Sequence, residues 1–74
     1  MRAVVVQVMR DRVRVVPRDQ VSAPDEVRDG IWVAFGNGLS GLLPFPQLGD
    51  EGTLEKTPNH PHPWWFDPTN GGWP

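Results

Sequence analysis

Seventy-four residues, nine acidic and seven basic, with no cysteine and 38% apolar content, make at most one domain, whose core supplies about 3–5 kcal/mol of net stability. Disulfide staples are excluded, no ligand set for a structural zinc is present, and nothing approaches the roughly 20 apolar residues of a membrane span. Charge is polarised: residues 1–20 hold five arginines against two aspartates, net +3, while residues 21–74 hold Arg28 and Lys56 against seven acids, net −5. The chain therefore lacks the overall basic excess of a nucleic-acid binder but keeps a local arginine stripe.

The first predicted element is a hairpin. Ala3 to Met9 and Arg12 to Val16 are valine-rich runs around Arg10-Asp11. A register in which paired numbers sum to 21 sets Val8 against Val13 and Val6 against Val15, gathering Val4, Val6, Val8, Val13 and Val15 on one face. Gln7, Arg14, Met9 and Arg12 then share the other face with Val5 and Val16, and Pro17 ends the strand. The run from Ala3 is only seven residues long, contains Gln7 and meets Arg10 at once, so it does not read as a targeting signal. A cytoplasmic or virion-associated location is expected.

Ser22 to Asp29 reads as a short helix with Ser22 as N-cap, Pro24 in the first turn, Asp25 and Glu26 at the positive end of the dipole and Gly30 as a left-handed stop. A second hairpin follows, Ile31 to Leu43 around Gly36-Asn37-Gly38. A three-residue loop there puts Ile31, Val33, Phe35, Leu39 and Leu43 on one face and Trp32, Ala34, Ser40 and Leu42 on the other; a two-residue Asn37-Gly38 loop would exchange Leu42 with Leu43. The expected core comprises Val6, Val8, Val15, Val33, Phe35 and Leu43. Residues 1–48 thus form a β module, and residues 49–56 read as a polar linker.

Residues 57–74 hold three of the four tryptophans and five of the nine prolines. Prolines at this density oppose helix and ladder strand, yet the indoles and Phe66 are a large apolar load to leave in water. The segment is expected to be a stiffened docking tail whose anchors are Trp64, Trp65, Phe66 and Trp73, laid either on the chain's own sheet or on a partner, the partner being preferred because the second sheet face is partly polar.

The stretch Gly30 to Leu48, GIWVAFGNGLSGLLPFPQL, resembles the central hairpin of S1-type RNA-binding domains, which have an OB fold. Gly30, Val33, Phe35, Gly38, Gly41, Leu42, Gln47 and Leu48 stand where that pattern has its glycines, aliphatics and closing Gln-Leu. The resemblance places Trp32 where the family carries a base-stacking aromatic. It spans 19 residues, has Pro44 in place of a nucleic-acid-contacting histidine, and reads as analogy of hairpin geometry rather than common descent.

No chemical motif is complete. His60 and His62 would lie on one side of an extended backbone, but zinc needs three or four ligands and only Asp67 is near, so no metal and no cofactor are expected. Arg12 and Arg14 read either as a phosphate-contacting stripe or as a solvated strand face. Asp25, Glu26 and Asp29 on a short helix are dipole and solubility partners. The expected molecule is mainly β, a small SH3-like or truncated OB-like barrel of two hairpins with one short helix and an extended Pro/Trp-rich tail. Its expected role is a non-enzymatic protein-binding subunit of a larger assembly, such as a small phage virion, capsid-decorating or accessory protein, with another protein or copies of itself as partner. The alternatives are a single-stranded nucleic-acid binder using Trp32, Arg12 and Arg14, and a small phage-type inhibitor of a host protein.

Overall fold

The computed structural model describes residues 1–39 and 45–68. Six strands, β1 (Arg2–Val8), β2 (Arg12–Pro17), β3 (Ile31–Phe35), β4 (Gly38–Leu39), β5 (Glu51–Lys56) and β6 (Trp64–Pro68), close a barrel in the order β1-β2-β3-β4-β6-β5, with one helix, α1 (Asp25–Arg28). The mainly β expectation holds. Ala3, Val5, Val13, Val15, Val33, Leu39, Leu54 and Phe66 fill the interior, and Val27 of α1 and Ala23 just before it join the same cluster.

The first hairpin forms, but its register changes midway. Val8 pairs with Val13 and Gln7 with Arg14; then a bulge at Val6 shifts the ladder so that Val5 faces Val15 and Ala3 faces Pro17. The extra residue moves Val5 into the core and leaves Val6 38% exposed, with Val8 exposed as well, correcting the expected valine face. The bulge also frees Val5 for a second partner: its N–H donates to Asp50 O (2.9 Å) and its carbonyl accepts from Gly49 N–H (2.9 Å).

The helix is shorter than expected and Ser22 does not cap it. Pro24 occupies the cap position without a side-chain bond, because the turn before it is already held by Asp19 Oδ1, which accepts the N–H groups of Val21 (3.1 Å) and Ser22 (3.3 Å). Gly30 does supply the left-handed stop, with φ 97° and its N–H on Val27 O (3.0 Å). A Cβ there would also come within 2.9 Å of Val16 Cγ1, so the position requires glycine twice over.

The second hairpin is replaced by something tighter. Ala34 exchanges both bonds with Asn37 (N–H to O 3.2 Å, and 2.8 Å in return), so Phe35-Gly36 is the loop and Asn37 lies opposite the strand rather than at its apex. Positive φ at both Gly36 (81°) and Gly38 (103°) turns the chain again, and β4 runs parallel to β3. Phe35, expected in the core, is 45% exposed at the barrel end and leans on Phe45 with ring centroids 5.3 Å apart. The positions expected at Ser40, Leu42 and Leu43 fall outside the described residues.

The stretch read as a linker carries β5, and the segment read as a docking tail carries β6. Strand β5 pairs with β1 on one side (Ala3 with Gly52) and with β6 on the other (Leu54 with Phe66). It was missed because its inward positions are Gly52 and Leu54, only one of which is an apolar signal. Strand β6 escapes the proline objection because Pro63 precedes it and Pro68 ends it. The Met1 amino group donates to Leu54 O (2.7 Å) and Leu54 N–H to Met1 O (2.6 Å), extending the β1–β5 seam.

Candidate functional site

The barrel is weakest where β4 stands. That strand has two residues, bridging to β3 through Ala34 with Gly38 and Phe35 with Leu39, and to β6 through Leu39 with Phe66. On the N-terminal side of β4 a cavity of about 170 Å3 opens, lined by Ile31, Trp32, Asn37, His62, Pro63 and Trp64. It adjoins a second, of about 260 Å3, that shares Trp32, Asn37 and His62 and is bounded by Arg12. Together they form a groove along β3, and no carboxylate lines it among the described residues.

Each wall has a local cause. Antiparallel pairing of β2 with β3 sets Arg14 against Trp32 and Arg12 against Ala34, so alternation turns Trp32 outward beside the arginines, with its indole 44% exposed. The far wall is the loop 57–63, closed by Thr57 N–H on Pro63 O (2.6 Å) and braced by His62 N–H donating to His60 Nδ1 (3.0 Å). His60 also meets the Trp65 ring edge-on at 5.1 Å.

The expected nucleic-acid residues Trp32, Arg12 and Arg14 are thus brought together. The expected anchors are not presented together. Phe66 is fully buried and belongs to the core, Trp64 and Trp65 are half-buried, and Trp73 lies outside the described residues. A side chain sealed in the barrel cannot grip a neighbour, which corrects the place of Phe66. Asn37 and His62 were missed as groove residues; the alternating His-Pro pattern, which favours extended backbone, is the signal that could have found this wall. No group of three or more potential metal ligands occurs among the described residues.

Outside the groove several charges are paired. Glu51 accepts from Arg18 (2.7 Å) and Arg2 (3.1 Å), and the pair holds its carboxyl below the usual range, Arg18 contributing most. Lys56 lowers Glu26 in the same way through a 3.0 Å contact, and its Nζ stands 5.7 Å from the centroid of the Trp64 ring. The Trp64 indole nitrogen is buried, makes no full hydrogen bond, and adds a smaller lowering pull on Glu26. Asp11 is lowered by Arg12 through a 3.1 Å contact in open solvent. A larger cavity of about 440 Å3 lies between Met1, Arg2, Arg18, Asp19, Ser22 and Ala23, but its polar groups are the ones already committed to Glu51 and to the turn before α1.

Comparison with protein-family models, with curated proteins and with solved structures finds no match to this chain. Among the described residues no helix is long and apolar enough to cross a membrane.

Proposed function

We propose that this chain is a non-enzymatic binding module, a subunit or accessory of a larger assembly, that takes a segment of another protein in the groove over β3. The observation that carries the reading is Trp32. A large indole 44% exposed in the middle of a strand, facing a concave wall made by Trp64, Pro63 and His62, is the kind of aromatic anchor site that dominates protein interfaces. Strand β6 is consumed by the barrel, so the working surface is the groove rather than a free tail.

Selection from a displayed library of random linear peptides tests this, with the Trp32→Ala protein used for counter-selection. Peptides that bind the native chain and lose most of their affinity for Trp32→Ala, while the variant melts as the native chain does, support it. Enrichment of nothing above background would remove it.

Single-stranded nucleic acid is the second reading, favoured by the juxtaposition of Trp32 with Arg12 and Arg14. Base stacking would quench the indole and counterion release would make binding weaken steeply with salt. A short unstructured oligonucleotide that does both at low salt, with loss in Trp32→Ala, would replace the protein reading.

A further inference from the structure

The slot beside β4 has the dimensions and the backbone chemistry of a missing piece of strand. Where β4 lies, it pairs with β3 on one side and β6 on the other, so those two strands stand about two ladder spacings apart, roughly 9–10 Å. Strand β3 continues back through Val33, Trp32 and Ile31, and β6 back through Trp65 and Trp64, but β4 begins only at Gly38. The space upstream of Gly38 is the cavity between Trp32 and Trp64.

The edge of β3 that faces this slot is unpaired at Trp32. Ala34 gives both its N–H and its carbonyl to Asn37, on the side away from β2. Residues two apart on a strand present their backbone groups to the same edge, so Trp32 presents its N–H and carbonyl to that side as well. Ile31 and Val33 point theirs toward Val15 and Val13 of β2. No described residue pairs with Trp32 on the slot side. An unpaired edge of this kind is a template for an added strand.

The charge around the slot narrows the ligand. Arg12 bounds the adjoining cavity, and its present partner, Asp11, is a solvent-exposed neighbour in sequence that a bound carboxylate can displace at little cost. A DNA backbone offers acceptors for the Trp32 N–H but no donor for its carbonyl, and RNA offers only a 2′-hydroxyl, whereas a polypeptide presents an N–H and a carbonyl on one edge at the strand's own spacing.

From these features we infer that the slot receives an extended peptide segment of a partner protein, which adds as a short strand to the Trp32 edge of β3 and sets an acidic side chain beside Arg12. The inference rests on the protein-binding reading above and specifies the chemistry of its ligand.

Two measurements test it. In the free protein, amide hydrogen exchange followed by NMR should find the Trp32 N–H exchanging at least about tenfold faster than those of Ile31 and Val33; equal protection of all three would show the edge already paired and overturn the inference. The most enriched library peptide is then synthesised unmodified and with single backbone N-methyl groups. Strand addition requires that methylation at alternate positions weakens binding about tenfold or more, that the bound peptide protects the Trp32 amide, and that Arg12→Glu, folded as judged by its melt, loses affinity for the acidic peptide. A tight peptide indifferent to N-methylation overturns strand addition, and one without an acidic residue overturns the pairing with Arg12, each leaving the protein-binding reading in place. Absence of any enriched peptide, with an oligonucleotide bound instead, overturns both.

Discussion

Adding one methyl group at Gly52 should remove a large part of the protein's stability. Gly52 lies on β5 between Ala3 of β1 and Pro68 of β6, directly under the Phe66 ring. A Cβ at this position would meet Phe66 Cζ at 2.7 Å and Cε1 at 2.8 Å, and would stand closer still to the carbonyl oxygen of Asp67. The ring can tilt, but the carbonyl belongs to the backbone of the neighbouring strand, so Gly52→Ala must push β5 and β6 apart. Overpacking of this kind costs about 1–3 kcal/mol and sometimes more, against a smaller gain of about 0.4–1 kcal/mol from stiffening the unfolded chain. Because a backbone carbonyl cannot swing aside, the upper end of that cost applies, and the net loss of about 2–2.6 kcal/mol is large beside the about 3–5 kcal/mol that a core of this size supplies. It corresponds to a fall in melting temperature of roughly 10–20 °C. The control is Gly49→Ala, where φ is 90° and the space is open, so that left-handed strain of about 1–2 kcal/mol acts alone. Thermal and urea unfolding followed by circular dichroism measure both. If Gly52→Ala melts within a few degrees of the native chain, or no lower than Gly49→Ala, then Phe66 does not close over β5, and the placing of residues 64–68 inside the barrel is wrong.

The bulge makes a paired prediction: Val5→Ala should lose about 1.5–3 kcal/mol in urea titration and Val6→Ala less than about 0.5, and the reverse order would restore the unbulged register. Phe35→Ala, at a half-exposed site, should cost about 1 kcal/mol rather than the 3–5 of a core phenylalanine; loss of a cooperative transition would return Phe35 to the core. Because Arg18 and Arg2 lower the Glu51 carboxyl, the folded state binds its proton less readily than the unfolded state. The stabilisation is present above roughly pH 4 and disappears as pH falls through and below that value. The gap in melting temperature between native chain and Glu51→Gln should therefore narrow from neutral pH to strongly acidic pH, and a gap that is constant or widens would show that the ion pairs do not act this way.

Alternation of valines was enough to reveal β1, β2 and the inward course of Val13 and Val15, and a glycine after a polar stretch was enough to mark the stop at Gly30. It was not enough for register, because a bulge adds one residue without altering composition; Val5 and Val6 are chemically identical and only the competing bonds of Val5 to residues 49 and 50 choose between them. Strand β5 hid because glycine at an inward position carries no hydrophobic signal, although here it is glycine that lets Phe66 in. In the groove, Trp32 and the arginines were visible separately, as an outward aromatic on one strand and charges on another; their adjacency comes from the pairing of β2 with β3 across the intervening helix, which neither hairpin register specifies. His62 and Asn37 reach the same place only through tertiary closure of loops from distant parts of the chain, and nothing local announces that.

The closure of β1 against β5 also sets when the molecule can exist during its own synthesis. The pairs Arg2 with Thr53 and Ala3 with Gly52 join residues about fifty positions apart, which places the fold among slow, non-local topologies. The β1–β2 hairpin can form within microseconds, whereas β5 and β6 follow only after a few seconds of translation at about 5–20 residues per second. During that interval a valine-rich edge waits without its partner. The outward kink at Val6 breaks the regular run of donors along that edge, so the same irregularity that fixes the finished register also makes the nascent hairpin a poor template for a neighbouring chain.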